Sequence, residues 1–373
     1  MRPQGIATQP MASLTQLGVF LAAVALVVTG AGPPARAEAA MVYHIKGAAS
    51  ESNVAAAREA VDKIRLALKQ SGDEGRPARI YVSGIFVLDA PIDFSSENSG
   101  SLLSARANSK AVFLSHGATP GTIVVHGGRD FRVNGIIIRN STRNGIYVEG
   151  ATDVSITNIT VEDTVSTEWS QGAIHLTGTV RGALVKNNRI INSDYAGIIF
   201  DTTEQSDVSN VRILSNFLKD TCRVVKDCGS IYVNDRGRRS KGIIISGNTI
   251  EGFGTKISDG SGIYLDDWTS NAVVKGNSIT GPGQYAFHIH GGRDNVIREN
   301  TIFLADIFAA VHYIRATDGS RADMTGNVMA QNIFRIGKED DDVHFSEDYR
   351  SGLGRLIFSK NWLCRRTICV DLK

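Results

Sequence analysis

The chain has 373 residues and nearly balanced charge, 40 Lys and Arg against 38 Asp and Glu, scattered rather than striped. That pattern gives no sign of a nucleic-acid partner. The four cysteines fall in two close-spaced pairs without a CxxC, which argues against a zinc or thioredoxin-like site; an even count favours disulfides in an oxidising compartment.

Residues 1–37 read as a signal peptide. Arg2 gives a weak positive start, Leu17 to Val28 is uninterrupted apolar sequence, and Ala35-Arg36-Ala37 fits the small-x-small cleavage rule before Glu38. A membrane-spanning helix needs ~20 apolar residues, so this run is short for a retained anchor. The expectation is a secreted or periplasmic bacterial protein, free of the membrane after cleavage. Residues 38–78 then form an N-terminal strand and capping helix. Val42 to Ile45 reads as the strand, and Asn53 as an N-cap. Val54, Ala57, Val61, Ile64 and Leu68 recur at helical spacing, with Gly72 and Gly75 as stops.

From residue 79 to 373 a repeat takes over. Arg79 to Val82 and Ile85 to Leu88 are its first strands, and Thr122 to Val125 is a buried one. An asparagine followed by apolar residues then returns at Asn134, Asn158, Asn188, Asn216, Asn248, Asn277, Asn300, Asn332 and Asn361. Between these marks lie short strands such as Gly145 to Val148, Gly172 to Leu176, Gly197 to Phe200, Gly229 to Val233 and Gly262 to Leu265. A period of roughly 20–30 residues, with several β-branched strands per repeat, predicts a solenoid whose units bury their apolar faces only by stacking. The fold class is all-β: a single-domain parallel β-helix, lidded by the amphipathic helix, with the asparagines stacked at a tight bend. Beyond Tyr313 the repeat decays. Gln331 to Phe334 and Leu356 to Trp362 complete the last turns, and the acidic run Glu339 to Asp342 reads as a solvated loop rather than a calcium site. Arg236-Gly237-Arg238-Arg239 is also read as a solvated turn. Spacing alone suggests Cys222–Cys228 and Cys364–Cys369 as the simplest disulfides, although connectivity stays open.

Alternation sorts the second strand series into an apolar inward set and two outward columns. One runs Tyr147, His175, Ile199, Tyr232, Tyr264, His288; the other runs Glu149, Thr177, Asp201, Asn234, Asp266, His290. Aromatic rings beside carboxylates on an open face suit sugars and glycosidic-bond chemistry. Asp266-Asp267 is the strongest catalytic candidate, because adjacent carboxylates repel unless used or neutralised. With strands ~4.8 Å apart, Asp267 falls about one rung from Asp235, near retaining-glycosidase spacing; Asp266 falls about two from Asp201, nearer the inverting range. Candidate substrate-binding residues are His175, Asp201, Tyr232, Asn234, Asp235, Tyr264, His288, His290 and Arg293. The segment from His290 to Asp294 has a twin in His126 to Asp130, which favours a recurring turn with an Arg–Asp pair at Arg293. Glu168-Trp169 is either a sugar platform or a loop anchor.

The segments from Gly229 to Tyr232, from Gly262 to Ser270 and from His290 to Asn295, with residues 62–91, carry a resemblance. The chain resembles right-handed parallel β-helix proteins of the pectin-lyase-like superfamily, in the branch containing glycoside hydrolase family 141. The resemblance implies catalytic carboxylates at Asp227 and at Asp266 or Asp267. Cys228 and Ser230 depart from the branch's D-A-G-A-I-Y pattern, and the chain is shorter than most members. The leading reading is therefore an exported glycoside hydrolase on a polysaccharide, expected to be monomeric, with no metal and no cofactor. The rivals are a lyase or C5-epimerase on uronic-acid chains, where Ca²⁺ would enter, and a non-catalytic carbohydrate-binding or structural β-helix. Sequencing the N-terminus of the exported protein should place it at or near Glu38; intact Met1-initiated protein in the host cytosol would overturn the signal-peptide assignment.

Overall fold

Residues 39–254, 259–314, 324–336, 345–347, 356–365 and 368–372 are described by a computed structural model. The predicted signal segment and the acidic run from Glu339 lie outside the described residues. Each coil supplies three short strands, and successive coils pair in parallel, giving a right-handed parallel β-helix. In the first sheet Ile156, Val185, Ile213, Ile245, Val274, Ile297 and Met329 stack in register. In the third, Ile146, Ile174, Ile198, Ile231, Ile263 and Phe287 do the same. These side chains are almost fully buried, so the core is a stack of single-residue apolar layers. The inward positions expected from alternation are all in it.

The bend between the first and second sheets carries the fold's main polar device. Asn188, Asn216, Asn248, Asn277, Asn300, Asn332 and Asn361 are buried at equivalent positions. Each Nδ2 donates to the Oδ1 of the next asparagine at 2.9 Å. Each Oδ1 also accepts the backbone N–H of the asparagine below it, at 2.9–3.0 Å. The residue just before the asparagine takes a left-handed conformation, as at Asn187 (φ 56), Gly247 (φ 65) and Gly276 (φ 62), which turns the chain sharply inward.

Asn134 and Asn158 do not belong to this ladder. Asn158 is the left-handed residue (φ 55), and the inward positions below Asn188 are held by Ile159 and Ile136. Asn134 instead accepts from the exposed Asn158 amide at 2.8 Å. The first coils thus fill this bend with hydrocarbon and the later ones with amides. The last turns expected beyond Tyr313 stack as well: Val328 pairs with Val296 and Ile357 with Val328, and the ladder reaches Asn361.

The helix spans Val54–Glu74, with Asn53 Oδ1 accepting from the Ala56 amide at 3.3 Å. It runs through Gly72 and ends at Gly75, in the left-handed conformation (φ 65). Its buried Ala57, Val61, Ile64 and Leu68 cover one end of the core, whereas Val54 is exposed. The strand Met41–Lys46 pairs in parallel with residues 78–83 and is already a rung of the first sheet. At the other end Asn361–Arg365 and Ile368–Leu372 form an antiparallel hairpin closed by Cys364–Cys369. No helix among the described residues is long and apolar enough to cross a membrane.

Replacing Asn248 with Leu keeps a γ-branched shape but adds bulk, leaves the buried Asn216 N–H without an acceptor, and takes one partner each from the Asn216 side-chain amide and the Asn277 Oδ1. Each buried polar group left unmet costs ~1–3 kcal/mol. Asn248→Leu should therefore lose about 3 kcal/mol or more in denaturant titration, while exposed Lys186→Ala should stay within about 0.5 kcal/mol.

Candidate functional site

The outer face of the third sheet carries the two expected columns in register. Glu149, Thr177 and Asp201 pair along one, Asn234 pairs with Asp266, and Tyr232, Tyr264 and His288 pair along the other. Alternation assigned these residues to solvent, and the structure corrects that. His175, Tyr232, Asn234, Tyr264 and His288 are buried, and Asp266 is 4% exposed. For Tyr232 and Tyr264 the cause is a roof. The Cys222–Cys228 disulfide closes a short loop that packs, with Tyr195, on Ile199, Tyr232 and Tyr264.

Beneath it the rings stack on one another: Tyr232 on Tyr264 at 4.8 Å, Tyr264 on His288 at 3.9 Å, and His288 by His312 at 4.4 Å. They are an internal wall rather than an open sugar platform. Burial drives the His288 pKa well below the ordinary range and that of His175 down to about 3, so both rings are neutral near pH 7.

The carboxylates gather at the end of this wall. Asp266 accepts from the Tyr232 hydroxyl on Oδ2 and meets His290 Nδ1 at 2.6 Å through Oδ1. Asp267 faces the groove. Its Oδ2 takes Arg236 Nε at 2.9 Å and lies 3.4 Å from Asn234 Nδ2. Left-handed backbone at Asp267 (φ 36) and Trp268 (φ 66) throws the second carboxylate off the strand direction; strained non-glycine residues of this kind recur at functional sites. Thr269 Oγ1 fastens that turn to the Asp266 and Val233 carbonyls at 2.7 and 2.9 Å. Arg238 lies over the Trp268 ring at 4.1 Å. The basic turn read as solvated thus supplies two groups that hold the site.

Asp227 sits at the lip, on the disulfide loop, also left-handed (φ 54). Its carbonyl accepts from the Tyr195 hydroxyl at 2.8 Å. The residue is exposed as a whole, but its carboxyl turns toward Tyr264. Burial and then the Asp266 charge raise its pKa, against a lowering by the Tyr264 hydrogen bond. Burial likewise raises Asp201, against Ser170 and Arg236. Burial lowers the affinity of His290 for its proton, but Asp266, Asp267 and Asp227 outweigh it and the net shift is upward.

Two candidates fall outside this cluster. Asp235 is fully buried, with Oδ2 capping the Ser240 N–H at 2.6 Å, so the Asp235–Asp267 spacing says nothing about stereochemistry. Arg293 is exposed and pairs with Asp294 at 3.8 Å in a turn whose left-handed residues match those of its twin. Sequence reasoning missed Arg236, Tyr195 and Trp268 as builders of the site. The available signal was that Arg236 and Trp268 immediately follow the acid-bearing strand ends. Asp266, Asp267 and His290 also bring ligand atoms within 4.8 Å of one another, a grouping able to hold a metal ion, though an ion there would have to displace Arg236 and Tyr232. Clefts of about 360 Å³ beside Arg236, Asp267 and Trp268, and about 300 Å³ beside Tyr147, His175 and Asp201, open on this face.

Residues 121–302 match the family model described as a right handed beta helix region. No curated protein sequence matches the chain. Among solved structures it is similar to the surface protein and adhesin PfbA of Streptococcus pneumoniae, at 13% identity and TM-score 0.48, covering 84% of this chain and 82% of that one. A double mutant of the tailspike protein of E. coli bacteriophage HK620, in complex with pentasaccharide, is 10% identical with TM-score 0.39, covering 82% and 76%. A mannuronic acid specific polysaccharide family 6 lyase from human gut microbiota is 10% identical with TM-score 0.34, covering 85% and 83%.

The contact with Asp266 has a pH signature. The folded pKa of His290 is raised above its unfolded value of about 6.5. The resulting stability is fully present below that pH and is lost as pH rises through the folded pKa. Asp266→Asn should lower the His290 pKa in an NMR titration and flatten that pH dependence. Because Asp266 is buried, it should also cost about 1.5–3 kcal/mol near pH 6. An unmoved His290 titration would refute the coupling.

Proposed function

We propose that the chain is an exported carbohydrate-active enzyme, a glycoside hydrolase that cleaves a polysaccharide lying across the outer face of the third sheet. The observation that carries this reading is the convergence of Asp201, Asp227, Asp266 and Asp267, with environments that pull their chemistry apart. Asp227 is raised by burial and by a neighbouring carboxylate, as suits a proton donor. Asp267 faces the groove against a guanidinium, as suits a base or nucleophile. At glycosidic centres one carboxyl group donates the proton while a second acts as base or nucleophile. Asp227 then protonates the departing glycosidic oxygen, and Asp267 activates water or attacks the anomeric carbon. Asp266, saturated by Tyr232 and His290, positions the histidine. The half-buried rings of Tyr147 and Trp268 remain accessible to sugar faces. The disulfides Cys222–Cys228 and Cys364–Cys369 fit an oxidising, extracytoplasmic compartment.

A lyase or C5-epimerase is the second reading, and His290 is what favours it. Its Nδ1 is held by Asp266 while no protein group meets its Nε2, the arrangement of an oriented base. Arg236 would then face the sugar carboxylate.

Incubation with neutral and uronic polysaccharides separates the two. Hydrolysis gives new reducing ends without an ultraviolet-absorbing unsaturated product. Asp227→Asn and Asp267→Asn should each lose ~10²–10⁴-fold in rate with unchanged circular dichroism, while His290→Gln keeps measurable turnover. An unsaturated product abolished by His290→Gln establishes the second reading instead. Near-normal hydrolysis in both Asn variants would sink the carboxylate assignment.

A further inference from the structure

The cleft on the N-terminal side of the carboxylates is lined by polar groups that the fold buries without using. His175 is 3% exposed, and no protein group meets either ring nitrogen. Gln171 is 2% exposed; its Oε1 accepts the Thr167 N–H at 3.2 Å, but no protein group meets its Nε2. Both line the same cleft of about 300 Å³, the lower end of the range for ligand pockets, ~300–1,000 Å³. Folded proteins rarely bury polar atoms unmet, and three in one cleft mark a place where a ligand can complete the bonding. Neither takes part in the carboxylate cluster.

The groups on offer specify the ligand. With its pKa near 3, His175 is a neutral imidazole, presenting one N–H and one bare nitrogen. Gln171 adds N–H donors. Asp201, which hydrogen-bonds Ser170, adds a carboxyl whose burial favours the protonated form. Tyr147 meets His175 edge to face at 5.2 Å and forms one wall. A set mixing donors with acceptors suits hydroxyl groups, which both give and take hydrogen bonds. It does not suit a carboxylate, which only accepts. Among the described lining residues the permanent cation is Arg143, already paired with Glu168 at 3.2 Å. A uronate would find no uncommitted positive charge there.

We infer that this cleft is a subsite for one neutral, hydroxyl-bearing sugar unit, held by His175, Gln171 and Asp201 against Tyr147. The inference rests on the carbohydrate reading proposed above and makes it more specific. Asp201 lies two rungs from Asp266, at ~4.8 Å per rung, so the subsite sits on the N-terminal side of the cleavage point, within reach of the same glycan. It also makes the substrate neutral around this position, whichever bond is cut.

The test is calorimetric binding of xylohexaose, mannohexaose, cellohexaose and hexagalacturonate to the mature chain carrying Asp267→Asn, which keeps the probe from being consumed. At least one neutral hexasaccharide should bind, more tightly than hexagalacturonate. Adding His175→Phe, which keeps a ring but removes both nitrogens, should weaken that binding about tenfold or more, with an equal or higher melting temperature. Gln171→Met should weaken it similarly and decides the matter if the phenylalanine variant does not fold. Unchanged affinity in both variants, preference for hexagalacturonate, or no neutral binding overturns the subsite. Loss of the His175 effect with hydrolysis intact would leave the carboxylate assignment standing. Neutral binding through His175 without any hydrolysis would keep the subsite and reject the hydrolase.

Discussion

Register is the constraint on which everything else in this molecule depends. A parallel stack places residues from distant coils side by side only if every coil begins its turn at the same height, and a slip of one residue would move each apolar side chain to the wrong face. The asparagine bend sets that height. Each amide accepts the backbone N–H of the coil below while donating to the next amide, so a displaced coil would strand several buried polar groups at once. Tyr232, Tyr264 and His288 can stack, and Asn234, Asp266 and His290 can share a column, because the opposite side of the coil is locked.

The outer face of the third sheet departs from an ordinary solvent-exposed sheet because it is roofed. A disulfide loop and one arginine-bearing turn are laid over side chains that alternation points outward. Covering them lowers the local dielectric, and that change moves the proton affinities of Asp201, Asp227 and the histidines in opposite directions. Burial alone would lower the proton affinity of His290, and three nearby carboxylates reverse the sign. The Cys222–Cys228 disulfide sets Asp227 at the lip, with Tyr195 holding its carbonyl.

The fold was legible because it is written many times over. The third-sheet core positions and the asparagine bend each follow from a local rule applied once per coil, and the capping helix from its own 3.6-residue spacing. Where one coil differs, the rule misled: Asn158 has the right identity and the wrong position, since the preceding left-handed residue and the inward residue are both suited to asparagine. Of the site, the outward columns were readable from alternation with period two. Their burial was not, because it is produced by loops whose paths have no period. Arg236 and Trp268 were hidden for the same reason, being turn residues whose partners are fixed only once the chain has folded. Asp235 shows the converse: a carboxylate next to an outward column, yet buried and capping its own turn through Oδ2.

The asparagine ladder also has a direction. Every linking side-chain amide gives toward the C-terminal end, and the series opens on the backbone N–H of Ile159 rather than on an unmatched acceptor. A ladder in which each member sees the same neighbour above and below is indifferent to how many members it has. It is indifferent, too, to how much chain lies between them, and successive asparagines here are separated by as few as 23 and as many as 32 residues. Gene duplication can therefore lengthen such a protein by whole coils, and insertion can enlarge a loop above the groove, without renegotiating the spine. Specificity is free to diversify on one side of the molecule while the other side stays fixed.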